Sequence, residues 1–297
     1  MHNTRKKDLL LFGVLDVVMA LLSLTLLFYF IPLATSFTTS PRFRLEFPGI
    51  VLLVLTGWVL GYLLFDNYTD LYRQSRLTTL IRTFFLSLFG TLIIAALIDE
   101  ILTPSVSLTR IWGTYFVIHF LLTSISRMAL LTRASQRLKK GLVTFNTLLI
   151  GGNESATELY REIRSREKGL GYNFVGFIDS NGASTNAIAQ YLPRLGGTKD
   201  IGQVIIDNKV EEVIVAIENN EKDKLKNILD ALFDFSNDIL IKVIPGMYEI
   251  MLGSVKMNHV YGAVLIEIEQ DIMPKWQRMI KRVIDILISI IILLLLL

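Results

Sequence analysis

The chain has 297 residues, of which 52% are hydrophobic and only 19% charged, with a mean hydropathy of +0.50. Soluble domains carry about 25% charged and about 45–50% apolar residues, so a plain soluble enzyme, a disordered tail and a nucleic-acid module are excluded. With no cysteine in the chain, disulfides, thiolate nucleophiles and cysteine metal sites are excluded too. The net charge of +3 hides an asymmetry: residues 1–140 carry 14 Lys+Arg against 7 Asp+Glu, and residues 141–297 carry 16 against 20.

Four apolar runs come first. Leu9–Ile31 holds a single charge, Asp16, while Gly49–Phe65, Thr83–Ile98 and Ile111–Ser126 hold none. A helix rises about 1.5 Å per residue, and about 17–25 apolar residues cross a bilayer core, so with their flanks all four reach spanning length. The first run has no small-residue cleavage site and reads as an anchor rather than a signal peptide. Lys and Arg stay on the cytoplasmic side. With the N-terminus inside, the inner flanks hold 11 of them, counting Arg127, and the outer loops hold 3. That arrangement predicts a four-helix membrane domain over residues 1–140 with both ends inside. Asp16 is expected to reach the inner interface or to pair with an arginine of a neighbouring helix. His119 is expected to pack or to hydrogen-bond between helices. With no further charge in the apolar runs, a transporter or proton relay has little support.

From Thr147 the pattern changes to short β-branched runs alternating with polar helical segments. Strands are predicted at Thr147–Ile150, Phe174–Ile178, Val213–Ile217 and Ile239–Ile244, and helices at Ala156–Ser165, Lys199–Asn208 and Lys222–Phe235. Such alternation implies a parallel sheet covered on both faces, a cytoplasmic Rossmann-like α/β domain over 141–270. Gly151 and Gly152 follow the first strand where such a domain binds phosphate. Asp179 ends the second strand, where an acid would hold a ribose hydroxyl. These three are the candidate nucleotide-binding residues. Against G-x-G-x-x-G, however, Asn153 and Ala156 occupy the second and third glycine positions, and a Cβ at 153 would crowd a diphosphate. Three readings stand: a tight strand-to-helix turn without cofactor, a nucleotide or nucleotide-sugar regulator, and an NAD(P) site.

The last stretch, 271–297, begins with a basic segment that carries Trp276, Lys275, Arg278, Lys281 and Arg282. It reads as an interfacial helix with its indole at headgroup depth. After Asp285 come 12 uncharged residues, Ile286–Leu297, about 18 Å of helix and too short to cross. They are expected to be the start of a membrane helix in a longer protein.

Four N-terminal helices, a degenerate Rossmann-like domain and Lys281-Arg282-Val283-Ile284-Asp285-Ile286 entering an apolar run resemble the bacterial polyprenyl-phosphate sugar-1-phosphate transferases. Val175–Asp179, Leu195-Gly196-Gly197-Thr198 and Val210–Ala216 are similar to that family's cytoplasmic domain. The resemblance implies transfer of a sugar-1-phosphate from a nucleotide sugar to undecaprenyl phosphate, at the inner membrane, to begin a surface polysaccharide. It also implies that the membrane helix is re-entrant and that a later segment supplies an Asp-Glu pair and Mg²⁺. No residue of this chain is assigned as catalytic or as a metal ligand, no cofactor is assigned to it with certainty, and the chain alone is expected to be inactive. Trp276, Lys281, Arg282 and Asp285 form the expected membrane- and phosphate-proximal motif, with plain membrane anchoring as their other reading. A homo-oligomer is left open. The alternatives are a non-catalytic membrane scaffold or regulatory subunit of polysaccharide assembly and a membrane-bound nucleotide-sugar dehydratase.

Overall fold

In the computed structural model the described residues are 2–31, 41–65, 68, 70–102, 107–165, 171–180, 182, 186–217, 222–236, 238–244 and 265–268, with 277, 281, 284, 285, 288, 289 and 292 near the C-terminus. The chain divides into two compact units, one of residues 1–136 with 273–297 and one of residues 137–272.

The first unit contains α1 (His2–Phe30), α2 (Pro41–Leu64), α3 (Arg76–Leu102) and α4 (Leu108–Lys139). All four are long and apolar enough to cross a membrane. Their core is built from Ala20, Leu24 and Leu27 of α1, Val54, Trp58 and Tyr62 of α2, Ile94, Ala95 and Ile98 of α3, and Ile111 and Tyr115 of α4. Gly90 on α3 makes room for the α2 indole, since a Cβ there would lie 2.7 Å from Trp58 Cη2. Two threonine hydroxyls in α3 are satisfied within their own helix: Thr83 and Thr91 donate to the carbonyls of Thr79 and Ser87, a common arrangement for hydroxyls in helices.

Two polar clusters join the four helices. Arg127 of α4 is fully buried and forms a two-pronged pair with Asp16 of α1: Nε donates to Oδ1 at 3.1 Å and Nη2 to Oδ2 at 2.8 Å. Its Nη1 donates to Thr83 Oγ1 of α3 at 2.9 Å, and its guanidinium carbon lies 4.1 Å from the centre of the Tyr62 ring of α2. The arginine counted among the cytoplasmic flanks is therefore inside the bundle. The pairing expected for Asp16 is found, and its partner is this residue. The reason is energetic: an isolated charge in lipid is costly, whereas a matched fork and carboxylate neutralise each other.

About two turns earlier in α4, His119 stacks on Trp58 with ring centres 3.8 Å apart. Its Nδ1 lies 2.9 Å from Ser23 Oγ and its Nε2 3.0 Å from the Tyr62 hydroxyl. Ser23 gives its single hydrogen to the Ala20 carbonyl. With that hydrogen committed, an imidazole that donates from Nδ1 to Ser23 and accepts from Tyr62 at Nε2 completes the set. Interhelical bonding, as expected for this histidine, is its role.

The second unit contains β1 (Phe145–Ile150), α5 (Glu154–Arg164), β2 (Tyr172–Asp179), β3 (Arg194–Gly197), α6 (Ile201–Asp207), β4 (Glu212–Val215), α7 (Lys222–Phe233), β5 (Leu240–Val243) and β6 (Ile266–Ile268). The strand order is β3-β2-β1-β4-β5-β6. The first five are parallel and β6 pairs antiparallel with β5. One face, with Leu148, Ile150, Val213, Val215 and Ile241, is covered by Ile201, Val204 and Ile205 of α6 and Ile228 and Leu232 of α7. The other, with Leu149, Phe177 and Ile214, is covered by Ala156, Leu159, Tyr160 and Ile163 of α5. This is the Rossmann-like architecture the alternation implied, with six strands where four were predicted. β3 and β6 escaped because four and three residues carry too little periodicity to register. The predicted helix at Lys199–Asn208 is divided into a 3₁₀ turn (Thr198–Asp200) and α6.

A second ion pair lies on the α5 face. Lys242 of β5 donates to Glu212 of β4 at 2.7 Å and to the Tyr172 hydroxyl of β2 at 3.1 Å. Burial alone lowers the Lys242 pKa, but the Glu212 carboxylate and the Tyr172 hydroxyl outweigh it, so the ammonium is held above its ordinary value. A cation whose pKa rises on folding adds stability that is complete below its unfolded pKa, about 10.4. That stability is lost as pH rises through the higher folded value. The Glu212→Gln variant is accordingly expected to be less stable than wild type at pH 7 to 9, with the two converging at more alkaline pH. Unfolding followed by circular dichroism across that range checks this, and a constant difference between the two would refute it.

Candidate functional site

In a doubly wound sheet, ligands bind beyond the carboxyl ends of the strands where the strand order reverses. Here that point lies between β1 and β4. The two strands run on past their ladder: Ala216 N–H donates to the Ile150 carbonyl at 2.8 Å, and Gly151 N–H donates to the Ile178 carbonyl of β2 at 3.0 Å. The edge thus gathers Gly151, Gly152 and Asn153 from the turn after β1, Asp179 from the end of β2, and Ala216 from the end of β4. Of the residues singled out in the sequence, Gly151, Gly152 and Asp179 are brought together there.

Each has a partner within the chain. Gly151 adopts φ +138°, and a Cβ on it would lie 2.2 Å from the Ala216 carbonyl oxygen. Only glycine fits between β4 and the turn. A Cβ on Gly152 would lie 2.2 Å from Asn186 Oδ1 and 2.8 Å from its Cγ, so the Asn186 amide fills the space over the second glycine. Asn153 caps α5 through its side-chain oxygen, which accepts from the Ala156 N–H at 3.1 Å, one of the donors a helix N-terminus otherwise offers to an anion. The Asp179 side chain is fully buried. Its Oδ1 accepts from the Gly182 N–H at 3.1 Å, and its Oδ2 lies 3.0 Å from Nη2 of Arg194 on β3, whose side chain is half-exposed. The second glycine pair behaves alike: Gly197 N–H donates to Asp200 Oδ2 at 2.8 Å, and a Cβ on Gly196 would meet the same carboxylate.

Asn186 and Arg194 were not singled out in the sequence. Arg194 stands directly before Leu195-Gly196-Gly197-Thr198, yet its reach to Asp179 depends on β3 lying beside β2. Nothing in the sequence of Asn186 indicates that it packs on a glycine 34 positions earlier.

Near the C-terminus, Lys281 and Asp285 are helical, exposed and one turn apart, and the Ser289 hydroxyl donates to the Asp285 carbonyl at 2.7 Å. Trp276 and Arg282 lie outside the described residues.

A family model described as a CoA-binding domain matches residues 64–242, more than half of the chain. The chain belongs to this CoA-binding domain family. The match begins at the end of α2, so it takes in α3 and α4 as well as most of the sheet. The CoA-binding domain family is found in sugar-phosphate transferases and other polysaccharide-biosynthesis proteins, and membership is compatible with a protein of that pathway that uses a sugar nucleotide. No curated protein matches the chain.

Coenzyme A would bring a diphosphate and a phosphorylated ribose to this edge. A diphosphate needs open backbone over the glycines and uncommitted N–H groups at the helix start. In this member of the CoA-binding domain family the Asn186 amide stands over Gly152 and Asn153 occupies the start of α5. The residues present do not fit a diphosphate at this turn.

Proposed function

We propose that this protein is the membrane and sheet portion of an initiating phosphoglycosyltransferase. In this reading the enzyme moves a sugar-1-phosphate from a nucleotide sugar to undecaprenyl phosphate, at the cytoplasmic face of a bacterial inner membrane, for surface polysaccharide synthesis. The observation that carries the reading is the family match running unbroken from the membrane helices into β5. The exposed, helical Lys281 and Asp285 support it. A polyprenyl phosphate presents its anionic headgroup at the interface, and basic side chains there offset its charge. Lys281 and Arg282 would serve that purpose, with Trp276 as interfacial anchor and Asp285 one helical turn beyond Lys281. Mg²⁺ would be held by other, catalytic residues of the enzyme.

Membrane vesicles from cells lacking the gene, supplied with undecaprenyl phosphate and radiolabelled nucleotide sugars, are expected to form less lipid-linked sugar phosphate than wild-type vesicles. Restoring the gene with Lys281→Gln and Arg282→Gln together is expected to recover only part of that incorporation. Equal incorporation with and without the gene, for every nucleotide sugar tried, rules the reading out.

A non-catalytic scaffold or regulatory subunit is the second reading, and the filled glycine turn favours it. It predicts that the product of the whole gene, purified in nanodiscs and given undecaprenyl phosphate, Mg²⁺ and a nucleotide sugar, transfers nothing. On that reading loss of the gene would lower incorporation through a partner enzyme.

A further inference from the structure

We infer that the nucleotide-binding turn of this CoA-binding-family domain is self-occupied: Asn153 takes a helix-start donor, the Asn186 side chain takes the space over Gly152, and the turn holds no nucleotide. Three observations, on three different segments, point the same way. The helix-start donor at Ala156 is taken by Asn153 Oδ1 at 3.1 Å. The space over Gly152 is taken by the Asn186 side chain. The acid at the end of β2, which would meet a ribose, is buried between the Gly182 N–H and the Arg194 guanidinium.

The chemistry of the replacements explains why the fold tolerates them. A phosphate at a helix start supplies oxygen acceptors and negative charge; an amide oxygen supplies the acceptor without the charge. An arginine opposite the Asp179 carboxylate supplies donors where ribose hydroxyls would otherwise supply them, and adds charge neutralisation. The Ala156 N–H and the Asp179 carboxylate are thus paired within the chain, and Gly151 is required by the Ala216 carbonyl rather than by an approaching phosphate.

The test compares the full chain with an Asn153→Gly/Asn186→Gly variant, both in lipid nanodiscs, by calorimetry with ADP and with coenzyme A. Glycine at both positions removes the two amides and is compatible with a helix cap. The expected result is at least tenfold tighter ADP binding by the variant. The same probe at 5 mM is expected to raise the unfolding temperature of the variant and to leave that of wild type unchanged, because only a ligand that binds the folded state stabilises it. Equal affinity in the two proteins, measurable or not, overturns the inference, as does weaker binding by the variant. Should the double variant unfold, Asn186→Gly alone keeps the α5 cap and is read in the same way. The outcome is independent of the transfer assay, since a filled turn and an active transferase can coexist.

Discussion

Replacing Arg127 by leucine is expected to destabilise the membrane bundle by about 3–5 kcal/mol, because removing one member of a buried pair leaves the other charge uncompensated. Asp16 and Arg127 are each about 1% exposed and 2.8 Å apart, and Arg127 also serves Thr83 on α3 and the ring of Tyr62 on α2, so its loss reaches all four helices. The expected order is informative. Asp16→Leu leaves the Arg127 guanidinium without its carboxylate, and is expected to cost about as much. The double variant is expected to be more stable than either single one, since a pair replaced by apolar side chains of similar size is often close to neutral. The resulting coupling, of order 3 kcal/mol, is read from a double-mutant cycle on reversible unfolding in mixed micelles. Additive losses would show that the two side chains do not act as a pair.

The Gly151→Ala variant is expected to lose about 2–5 kcal/mol from the sheet unit, through strain at a left-handed backbone angle and a clash with backbone. The angle is φ +138°, and the obstacle is the Ala216 carbonyl oxygen at 2.2 Å, which cannot rotate away. Gly182→Ala is the matched control. Gly182 also has a positive φ, +64°, but open space around its Cβ position, so only the backbone term applies and the loss is expected to be about 1 kcal/mol. Hydrogen exchange of the Ile150–Ala216 region in the full chain measures the difference. A glycine kept for phosphate approach would respond differently: Gly151→Ala would then spare stability and abolish nucleotide binding. Equal protection in wild type and Gly151→Ala would remove the packing account of this residue.

These two predictions mark where sequence reading succeeds and where it stops. The Rossmann-like sheet is legible because β1, β2, β4 and β5 and the helices between them each carry a local period. Leu159 and Ile163 on α5, and Leu225, Ile228, Leu229 and Leu232 on α7, repeat at helical spacing, and all but Leu225 and Leu229 are buried. The glycine turn is legible as a turn. That it is filled is not, because Asn186 and Arg194 come from segments whose positions are set by the packing of β3 against β2. Arg127 looks like an interfacial charge in the sequence for a similar reason. It stands at the edge of its apolar run, and a run's edge marks the water boundary only when no buried partner exists.

By itself the sequence determined that the chain carries four helices long and apolar enough to cross a membrane, followed by an alternating α/β sheet. Hydropathy length and residue periodicity are local quantities, and the cost of placing backbone or charge in lipid is paid residue by residue. Only the tertiary structure decided that Asp16 meets Arg127, 111 positions away, and that asparagine amides rather than open backbone face the glycine turn. The physical reason is common to both. The free energy of a charge or an amide depends on what stands within about 3 Å of it, and that neighbour is chosen by the fold, not by the sequence alongside.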